Sequence, residues 1–284
     1  MCPAGTGHYR GAVTTQITRD GLVLDVYESG PADGDPVVLL HGFPQFADCW
    51  DALVPLLTAA GYRTLAMDQR GYSPRALPHG RRAYRIPELV EDAVALIDRT
   101  GGRAHVVGHD WGAAVAWALA AARPEKVRTL TALSVPHPQA FLGSFVTSTQ
   151  ALHSWYMFFF QLPVLPEKLL AAGWAVQFLE RAGQDPDRAR RDAARLTAQG
   201  FTGPLNYYRA MPLLDPRAAR TPVTVPTLMI WSDGDVAIGR ASVDRCARYV
   251  RAPYRLEILH GVSHWIPEEA PDATAAMMLP HLRQ

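Results

Sequence analysis

Residues 106–121, VVGHDWGAAVAWALAA, join an apolar run to a glycine-flanked aspartate and then to an alanine-rich segment. The apolar run is typical of a buried strand, and the alanines favour a helix. Gly108 and Gly112 stand two residues on either side of Asp110. This is the spacing of G-x-S-x-G, the sharp strand-to-helix turn that exposes a serine nucleophile above a sheet, with aspartate in place of serine. From this segment alone, a catalytic turn and a helix N-cap by Asp110 are equally good interpretations.

The rest of the chain alternates between strand-like and helix-like patterns. Strands are predicted at residues 22–27, 37–40, 62–67, 104–107, 127–134, 226–231 and 254–259. Helices are predicted at residues 48–60, 87–99, 111–122, 239–250 and 270–283. Several of the strands are continuous apolar runs, as expected where both faces of a parallel sheet are covered. The alternation predicts an α/β fold with a mostly parallel, twisted sheet flanked by helices.

One long segment departs from this alternation. From about Pro136 to Thr221, helical patterns follow one another, rich in prolines and aromatic residues such as WYMFFF at 155–160. The charged stretch after Asp185-Pro186 predicts a capped, solvated helix. An all-helical insertion between two strands predicts a lid over the carboxyl edge of the sheet, where ligand sites of α/β proteins form. We therefore expect a core domain of residues 1–136 and 222–284 and a helical cap of residues 137–221.

Composition excludes several classes of function. A chain of 284 residues with 48% hydrophobic residues can bury a large core, and its formal charge of +1 gives no basis for binding nucleic acid. No apolar stretch is long enough to span a membrane, and the N-terminal MCPAGTGHYRGAV lacks the apolar centre of a signal peptide. The three cysteines, Cys2, Cys49 and Cys246, form no disulfide or metal pattern. We expect a cytoplasmic protein without membrane insertion.

Three further loops follow predicted strands in the order of a catalytic triad. HGFP at 41–44 is placed so that the backbone N–H of Phe43 forms an oxyanion hole with that of Trp111. SDGD at 232–235 offers an acid, and HGVSHW at 260–265 offers a histidine. Each loop alone is explained equally well by a turn, a helix cap or a structural histidine. Together they give nucleophile, acid and histidine, each after the expected strand.

At this point the sequence resembles a known family. The motifs HGFP at 41–44, DQRGYS at 68–73, GHDWG at 108–112, DGD at 233–235 and GVSHW at 261–265 are similar to those of epoxide hydrolases of the α/β-hydrolase fold. The resemblance covers nearly the whole chain and is most specific in the core motifs.

The resemblance implies the α/β-hydrolase fold, with the helical lid inserted after the sixth strand, and a role for each catalytic residue. It implies Asp110 as nucleophile, His264 as base and Asp235 as the acid that orients His264. We prefer Asp235 to Asp233 because the family places its acid at the later position of this loop. A cis peptide bond between Phe43 and Pro44 is also implied.

Two tyrosines of the lid are implied to hold the epoxide oxygen. In GPLNYYR at 203–209 the tyrosine before the arginine, Tyr208, matches the family motif, and in HSWYMFFFQLP we choose Tyr156 by its distance from Phe160-Gln161. The alternative is that both tyrosines only pack the lid. Tyr207 precedes Tyr208 on the same helix and projects about 100° away, so the two do not share one role.

The aspartate makes chemical sense for opening an epoxide. Attack on a saturated carbon by serine would leave an ether, whereas attack by Asp110 leaves an ester that water activated by His264 can hydrolyse. The N–H groups of Phe43 and Trp111 would stabilise the oxyanion on Asp110. We therefore expect a small hydrophobic epoxide and water as substrates, a vicinal diol as product, and His41, Pro44 and Trp265 in the substrate pocket. The aromatic lid suggests an aryl-bearing epoxide.

Other functions remain open at this stage. Haloalkane and haloacid dehalogenases use the same kind of aspartate, and Trp111 would suit half of a halide site. However, Phe43 stands where an asparagine is usual, and Trp111 and Ala114 stand where fluoroacetate dehalogenases carry arginines. A non-catalytic ligand receptor is disfavoured by the intact Asp-His-Asp set, and an esterase by the absence of G-x-S-x-G. No metal or organic cofactor is implied, because the histidines lack ligand spacing. A homodimer is left open.

Overall fold

The computed structural model describes residues 13–284 except 216, 218 and 219. Cys2 and the rest of residues 1–12, on which part of the signal-peptide argument rests, lie outside the described residues. The strands are β1 (Val13–Arg19), β2 (Leu22–Ser29), β3 (Pro36–Leu40), β4 (Arg63–Met67), β5 (Ala104–His109), β6 (Val127–Leu133), β7 (Thr227–Ser232) and β8 (Tyr254–Leu259).

The eight strands form one sheet in the order β1-β2-β4-β3-β5-β6-β7-β8. β2 pairs antiparallel with β1 and β4, and the remaining pairs are parallel. In the parallel part, Leu40 at the end of β3 stands opposite Gly108 near the end of β5. The loops after β3, β5, β7 and β8 therefore begin at one edge of the sheet, as expected for a parallel α/β sheet.

Thirteen α-helices are found in the part of the chain that the structure describes. They are α1 (Val54–Ala59), α2 (Ile86–Asp98), α3 (Trp111–Ala122), α4 (Pro138–Ser144), α5 (Gln150–His153), α6 (Trp155–Phe159), α7 (Leu165–Leu169), α8 (Ala175–Arg181), α9 (Pro186–Gln199), α10 (Thr202–Ala210), α11 (Arg240–Val243), α12 (Ile266–Glu269) and α13 (Pro271–Leu282). Short 3₁₀ segments precede α1 and follow α11, where single helices were predicted at 48–60 and 239–250.

The helices cover both faces of the sheet. On β3, Val38 and Leu40 belong to the apolar core that includes α2 and α3, whereas Val37 and Leu39 belong to the core that includes α1 and α13. All five residues of β3 are buried. This two-sided burial explains why the strand is a continuous apolar run in the sequence. The predicted α/β-hydrolase architecture is confirmed.

Helices α4 to α10 all lie between β6 and β7, where the insertion was predicted. Asp185 caps α9, because its side chain accepts hydrogen bonds from the N–H groups of Asp187 at 3.0 Å and Arg188 at 3.1 Å. The expectation that this helix is solvated was wrong for one of its faces. Asp192 and Leu196 are completely buried, because that face packs against the rest of the protein.

Candidate active site

Asp110 stands on a strained turn between β5 and α3. Its backbone has φ +51° and ψ −118°, a conformation that side-chain-bearing residues adopt rarely. A Cβ atom at Gly112 would lie 1.9 Å from the carbonyl oxygen of Leu40, and one at Gly42 would lie 2.3 Å from Cβ of Asp110. Both glycines are therefore required by the close approach of three chain segments. A Cβ atom at Gly108, the other glycine that flanks Asp110, would lie 2.2 Å from the carbonyl oxygen of Gly112, so both glycines of the motif have a steric cause.

The two carboxylate oxygens of Asp110 have different surroundings. Oδ1 accepts a hydrogen bond of 2.7 Å from the backbone N–H of Phe43. Trp111 is the first residue of α3, so its N–H is one of the free donors at the helix N-terminus. Oδ2 lies 3.6 Å from Nε2 of His264, which is longer than a hydrogen bond but close enough for strong attraction between charges. One oxygen is therefore held by the backbone, and the other is left available for attack.

His264 is oriented by Asp235. Its Nδ1 lies 2.8 Å from Oδ2 of Asp235, while Oδ1 of Asp235 accepts hydrogen bonds from the N–H groups of Ala237 at 2.8 Å and Ile238 at 3.0 Å. Asp233 lies in the same loop but bonds instead to His260 and to the N–H of Gly261. The geometry supports the choice of Asp235 over Asp233.

Several buried residues that position this triad had no signal in the sequence. The carbonyl oxygen of His264 accepts hydrogen bonds from Oγ of Ser134 and Nε2 of His109, both at 2.9 Å. From the lid, the side-chain amide of Gln150 donates to the carbonyl of Ala237 at 2.6 Å and accepts from the N–H of Gly239 at 2.8 Å. Gln150 thus fixes the loop that carries the acid. The sequence could not show this role of Gln150, because nearly 90 residues separate it from Ala237 and Gly239.

Electrostatic interactions favour an ion pair between Asp110 and His264. Burial by itself opposes a charge on His264, but Asp235 and Asp110 outweigh it and raise the pKa of His264 to about 10. Burial likewise favours a neutral Asp110, but the charge of His264 and the hydrogen bond from Phe43 keep the pKa of Asp110 below its ordinary value. These pKa shifts favour an Asp110 carboxylate beside a His264 imidazolium at neutral pH.

The two lid tyrosines chosen from the sequence approach this site. The ring centroids of Tyr156 and Tyr208 are 6.0 Å apart, and the Tyr208 ring lies 5.1 Å from that of Trp111 and 5.4 Å from that of Phe43. Both tyrosines are buried, and burial together with the negative charge of Asp110 raises the pKa of each phenol. Both phenol hydroxyls therefore stay protonated beside the Asp110 carboxylate.

Tyr207, the neighbour of Tyr208, is engaged elsewhere. Its hydroxyl donates a 2.7 Å hydrogen bond to the carbonyl of Arg70, and its ring is buried. The side chain of Arg70 forms a buried ion pair with Asp92, with an N–O distance of 2.6 Å. Tyr207 thus attaches α10 to a rigid part of the core. The geometry agrees with different roles for the two consecutive tyrosines.

A cavity of about 260 Å³ contains the Asp110 carboxylate; its lining includes Trp111, Tyr156 and Tyr207, but not Tyr208. His41, Pro44 and Trp265, which were expected in the substrate pocket, are not among the residues that line this cavity, and neither are His264 and Phe43. The place of His41, Pro44 and Trp265 in the substrate pocket therefore stays a prediction. All three are buried.

Two of these residues form hydrogen bonds with the backbone around the site. Nε2 of His41 accepts a hydrogen bond from the N–H of Gln69 at 3.1 Å, and its Nδ1 lies 3.0 Å from the carbonyl oxygen of Gly42. The indole N–H of Trp265 donates to the carbonyl of Ala182 at 3.0 Å. The peptide bond before Pro44 is cis, as predicted.

Within the part of the chain that the structure describes, no group of three or more histidine, cysteine, aspartate or glutamate side chains is arranged to hold a metal ion. None of the helices in residues 13–284, the three undescribed positions aside, combines the length and apolar character needed to cross a membrane.

Comparison with known proteins agrees with this geometry. Residues 37–277 match the alpha/beta hydrolase family. The chain belongs to this family. This α/β hydrolase is 36% identical to the AB hydrolase superfamily protein YfhM of Bacillus subtilis, over 94% of the chain and 96% of YfhM. It is 32% identical to epoxide hydrolase A of Mycobacterium tuberculosis, over 96% of the chain and 98% of that enzyme. The resemblance to epoxide hydrolases is thereby confirmed.

Solved structures give the same relationship. The crystal structure of epoxide hydrolase A from Mycobacterium thermoresistibile superimposes with a TM-score of 0.84 at 29% identity, covering 96% of this chain and 98% of that one. Epoxide hydrolase VrEH1 from Vigna radiata gives a TM-score of 0.82 at 28% identity, with 96% and 98% covered. The α/β-hydrolase fold of this chain is thus shared with enzymes named for epoxide hydrolysis.

Proposed function

We propose that this α/β hydrolase converts epoxides to vicinal diols through an ester formed on Asp110. The observation that carries the proposal is a carboxylate at the catalytic turn, paired with the His264–Asp235 couple and approached by two lid tyrosines. The relatives named epoxide hydrolases support the same reaction. A serine in this place would serve acyl transfer, whereas a carboxylate serves substitution at carbon.

In the first step, Oδ2 of Asp110 attacks an epoxide carbon and the carbon–oxygen bond of the ring breaks. Tyr208 and Tyr156 hydrogen-bond the leaving oxygen, and one of them gives it a proton. Oδ1 stays on the N–H of Phe43. The product of this step is a neutral ester between Asp110 and the substrate.

The ester itself prepares the second step. The charge of Asp110 is one of the two carboxylate charges that raise the pKa of His264, and esterification removes it. His264 then gives up its proton, which restores the tyrosine, and becomes a neutral base. Water loses a proton to His264 and attacks Cγ of Asp110, the N–H groups of Phe43 and Trp111 stabilise the oxyanion, and the diol leaves. One water is consumed and the ion pair is restored.

Further parts of the proposal concern the whole chain. Residues 137–221 act as a cap domain over the core formed by residues 1–136 and 222–284, and the enzyme functions in the cytoplasm without a cofactor. Assembly into a homodimer is compatible with this reaction but not required by it, since the triad and both tyrosines come from one chain.

Turnover assays with a panel of epoxides and alkyl halides test the activity. The purified protein should form diols from epoxides and release no halide, and Asp110→Asn should abolish diol formation while leaving the fold intact by circular dichroism. Halide release without diol formation would indicate a dehalogenase. Tight binding of epoxides without any turnover would indicate a receptor.

A further inference from the structure

The cavity that contains Asp110 continues along the nucleophile helix. α3 is buried over most of its surface, yet Ala114, Ala118 and Ala121 are partly accessible because they line this cavity, which reaches the exposed Ala122 at the end of the helix. At a rise of about 1.5 Å per residue, Asp110 and Ala121 are separated by about 16 Å along the helix axis. The alanine-rich segment therefore forms the floor of an elongated groove, the α3 groove, which begins at the nucleophile.

The walls of the α3 groove are apolar. The apolar lining includes Ile86 and Val90 of α2, Val135 just after β6, and Phe141 and Met211 of the helical insertion. Small side chains on the floor and larger apolar side chains on the walls leave a long space suited to an alkyl chain.

The charged side chains of the α3 groove offer no favourable partner to a substrate that ends in a carboxylate. Among its described lining residues the charged ones are Asp110, Glu91 and Asp215, and no lysine or arginine is present. Glu91 is paired with Arg123 at 2.5 Å, but Arg123 itself does not line the groove. Ala122 and Asp215 are exposed, so a carboxylate at this end of the groove would stay hydrated but would find no cation among the described lining residues.

We propose that the α3 groove binds the unbranched, uncharged alkyl chain of a long-chain epoxide, with the epoxide ring at Asp110. Ala114, Ala118 and Ala121 set the length of chain that the enzyme accepts. This inference rests on the proposed epoxide hydrolase activity, because that activity places the reactive end of the substrate at Asp110.

Terminal epoxides with unbranched alkyl chains of graded length test the groove. In the wild-type enzyme, kcat/KM should rise by about two- to fourfold per added methylene until the chain fills the groove. Leucine at Ala114, Ala118 or Ala121 should reduce kcat/KM by about tenfold or more, but only for chains that extend beyond about 6, 12 or 16 Å respectively. Ala198→Leu, on an exposed part of α9 outside the groove, should leave the whole series unchanged.

The chain end gives a second test with the same enzyme. A long-chain epoxide with a terminal carboxylate should have a kcat/KM no higher than that of its methyl ester, since no lysine or arginine among the described lining residues of the groove can pair with the charge. If Ala118→Leu does not fold, Ala118→Val introduces a smaller side chain at the same place. Three results would overturn the proposal: a kcat/KM that does not depend on chain length, an equal loss of kcat/KM for all chain lengths in the leucine variants, or a higher kcat/KM for the carboxylate than for its methyl ester.

Diol binding shows whether the proposal for the α3 groove or the proposed epoxide hydrolase activity is wrong. Calorimetric binding of 1,2-alkanediols with the same chains measures the groove without turnover. If no epoxide is hydrolysed but affinity for diols rises with chain length and falls in the leucine variants, the activity is wrong and the groove stands. If short epoxides are hydrolysed but diol affinity does not depend on chain length, the groove is wrong and the activity stands.

Discussion

At Asp110, the difference between a carboxylate and a hydroxyl decides which bonds the site can break. The strained turn, the N–H of Phe43 and the His264–Asp235 pair would serve a serine equally well. In the proposed mechanism, the carbonyl that water attacks belongs to the protein, so the oxyanion hole would act on Asp110 itself. The identity of one residue therefore changes the reaction while the surrounding geometry is kept.

Substitution of the consecutive tyrosines separates a chemical role from a structural one. Tyr208→Phe removes a proton donor to the epoxide oxygen and should lower kcat by about 10²- to 10⁴-fold, less if Tyr156 compensates. Tyr207→Phe removes the hydrogen bond to Arg70 and should lower stability by about 1 kcal/mol with little change in kcat. Single-turnover kinetics and chemical denaturation measure the two effects. Equal losses of kcat in both variants would mean that the tyrosines are wrongly assigned.

The ionisation of His264 tests the electrostatic part of the mechanism. In the resting enzyme the pKa of His264 is raised to about 10, and the charge of Asp110 is one of the causes. Asp110→Asn removes that charge and should lower the pKa, imitating the ester. NMR titration of the imidazole resonances in wild-type and variant protein measures the difference. An unchanged pKa would contradict the account of how His264 becomes a base after the first step.

At the scale of elements, the sequence predicted what local patterns determine. Glycine-flanked Asp110 and the loops after β3, β7 and β8 could be placed because apolar strands and turn residues mark the sheet edge. β1 was missed, because VTTQITR is an edge strand with threonines in place of a clear apolar alternation. The orientations of His41, Pro44 and Trp265 could not be predicted, because adjacency to a motif does not tell which way a side chain points.

The charged helix α9 shows why the lid was harder to predict. Its arginines Arg188 and Arg195 pair with Glu268 and Asp48 of the core at 2.7 and 3.1 Å. The pattern DRARRDAARL is the same whether its partners are water or buried carboxylates, and those carboxylates are distant in sequence. Only the packed structure shows that α9 is held to the core by ion pairs.

The buried Asp192 of α9 gives a prediction for stability. Gln184 donates a hydrogen bond to the Asp192 carboxylate. Burial and the negative charges of Asp48 and Glu268 together outweigh the attraction of Arg191 and raise the pKa of Asp192 from 3.8 to about 7. Between these two values the unfolded chain has released a proton that the folded protein still holds, so rising pH lowers stability through this window.

Asp192→Asn removes that titration. Relative to wild type, the Tm of Asp192→Asn should therefore increase progressively from about pH 4 to pH 7 and stay constant above. Thermal unfolding of both proteins across this range measures the difference. A Tm difference that does not depend on pH would show that Asp192 is ionised throughout and that its pKa is not raised.

For the whole molecule, the function depends on the meeting of four segments that are far apart in the chain. The sheet edge brings Asp110, Asp235 and His264 together, and the helical insertion adds Tyr156 and Tyr208 above them. The central claim is that this assembly acts in two steps, with substrate covalently bound to Asp110 between them. His264 is needed only for the second step, so its removal should stop the reaction at the ester.

Mass spectrometry of His264→Gln incubated with a reactive epoxide tests this claim most directly. We expect the protein to gain the mass of one substrate, located on the peptide that contains Asp110, and to release no diol. The double variant His264→Gln with Asp110→Asn should gain nothing under the same conditions. An unmodified His264→Gln protein that still binds the epoxide would contradict nucleophilic attack by Asp110 and indicate that water attacks the epoxide directly.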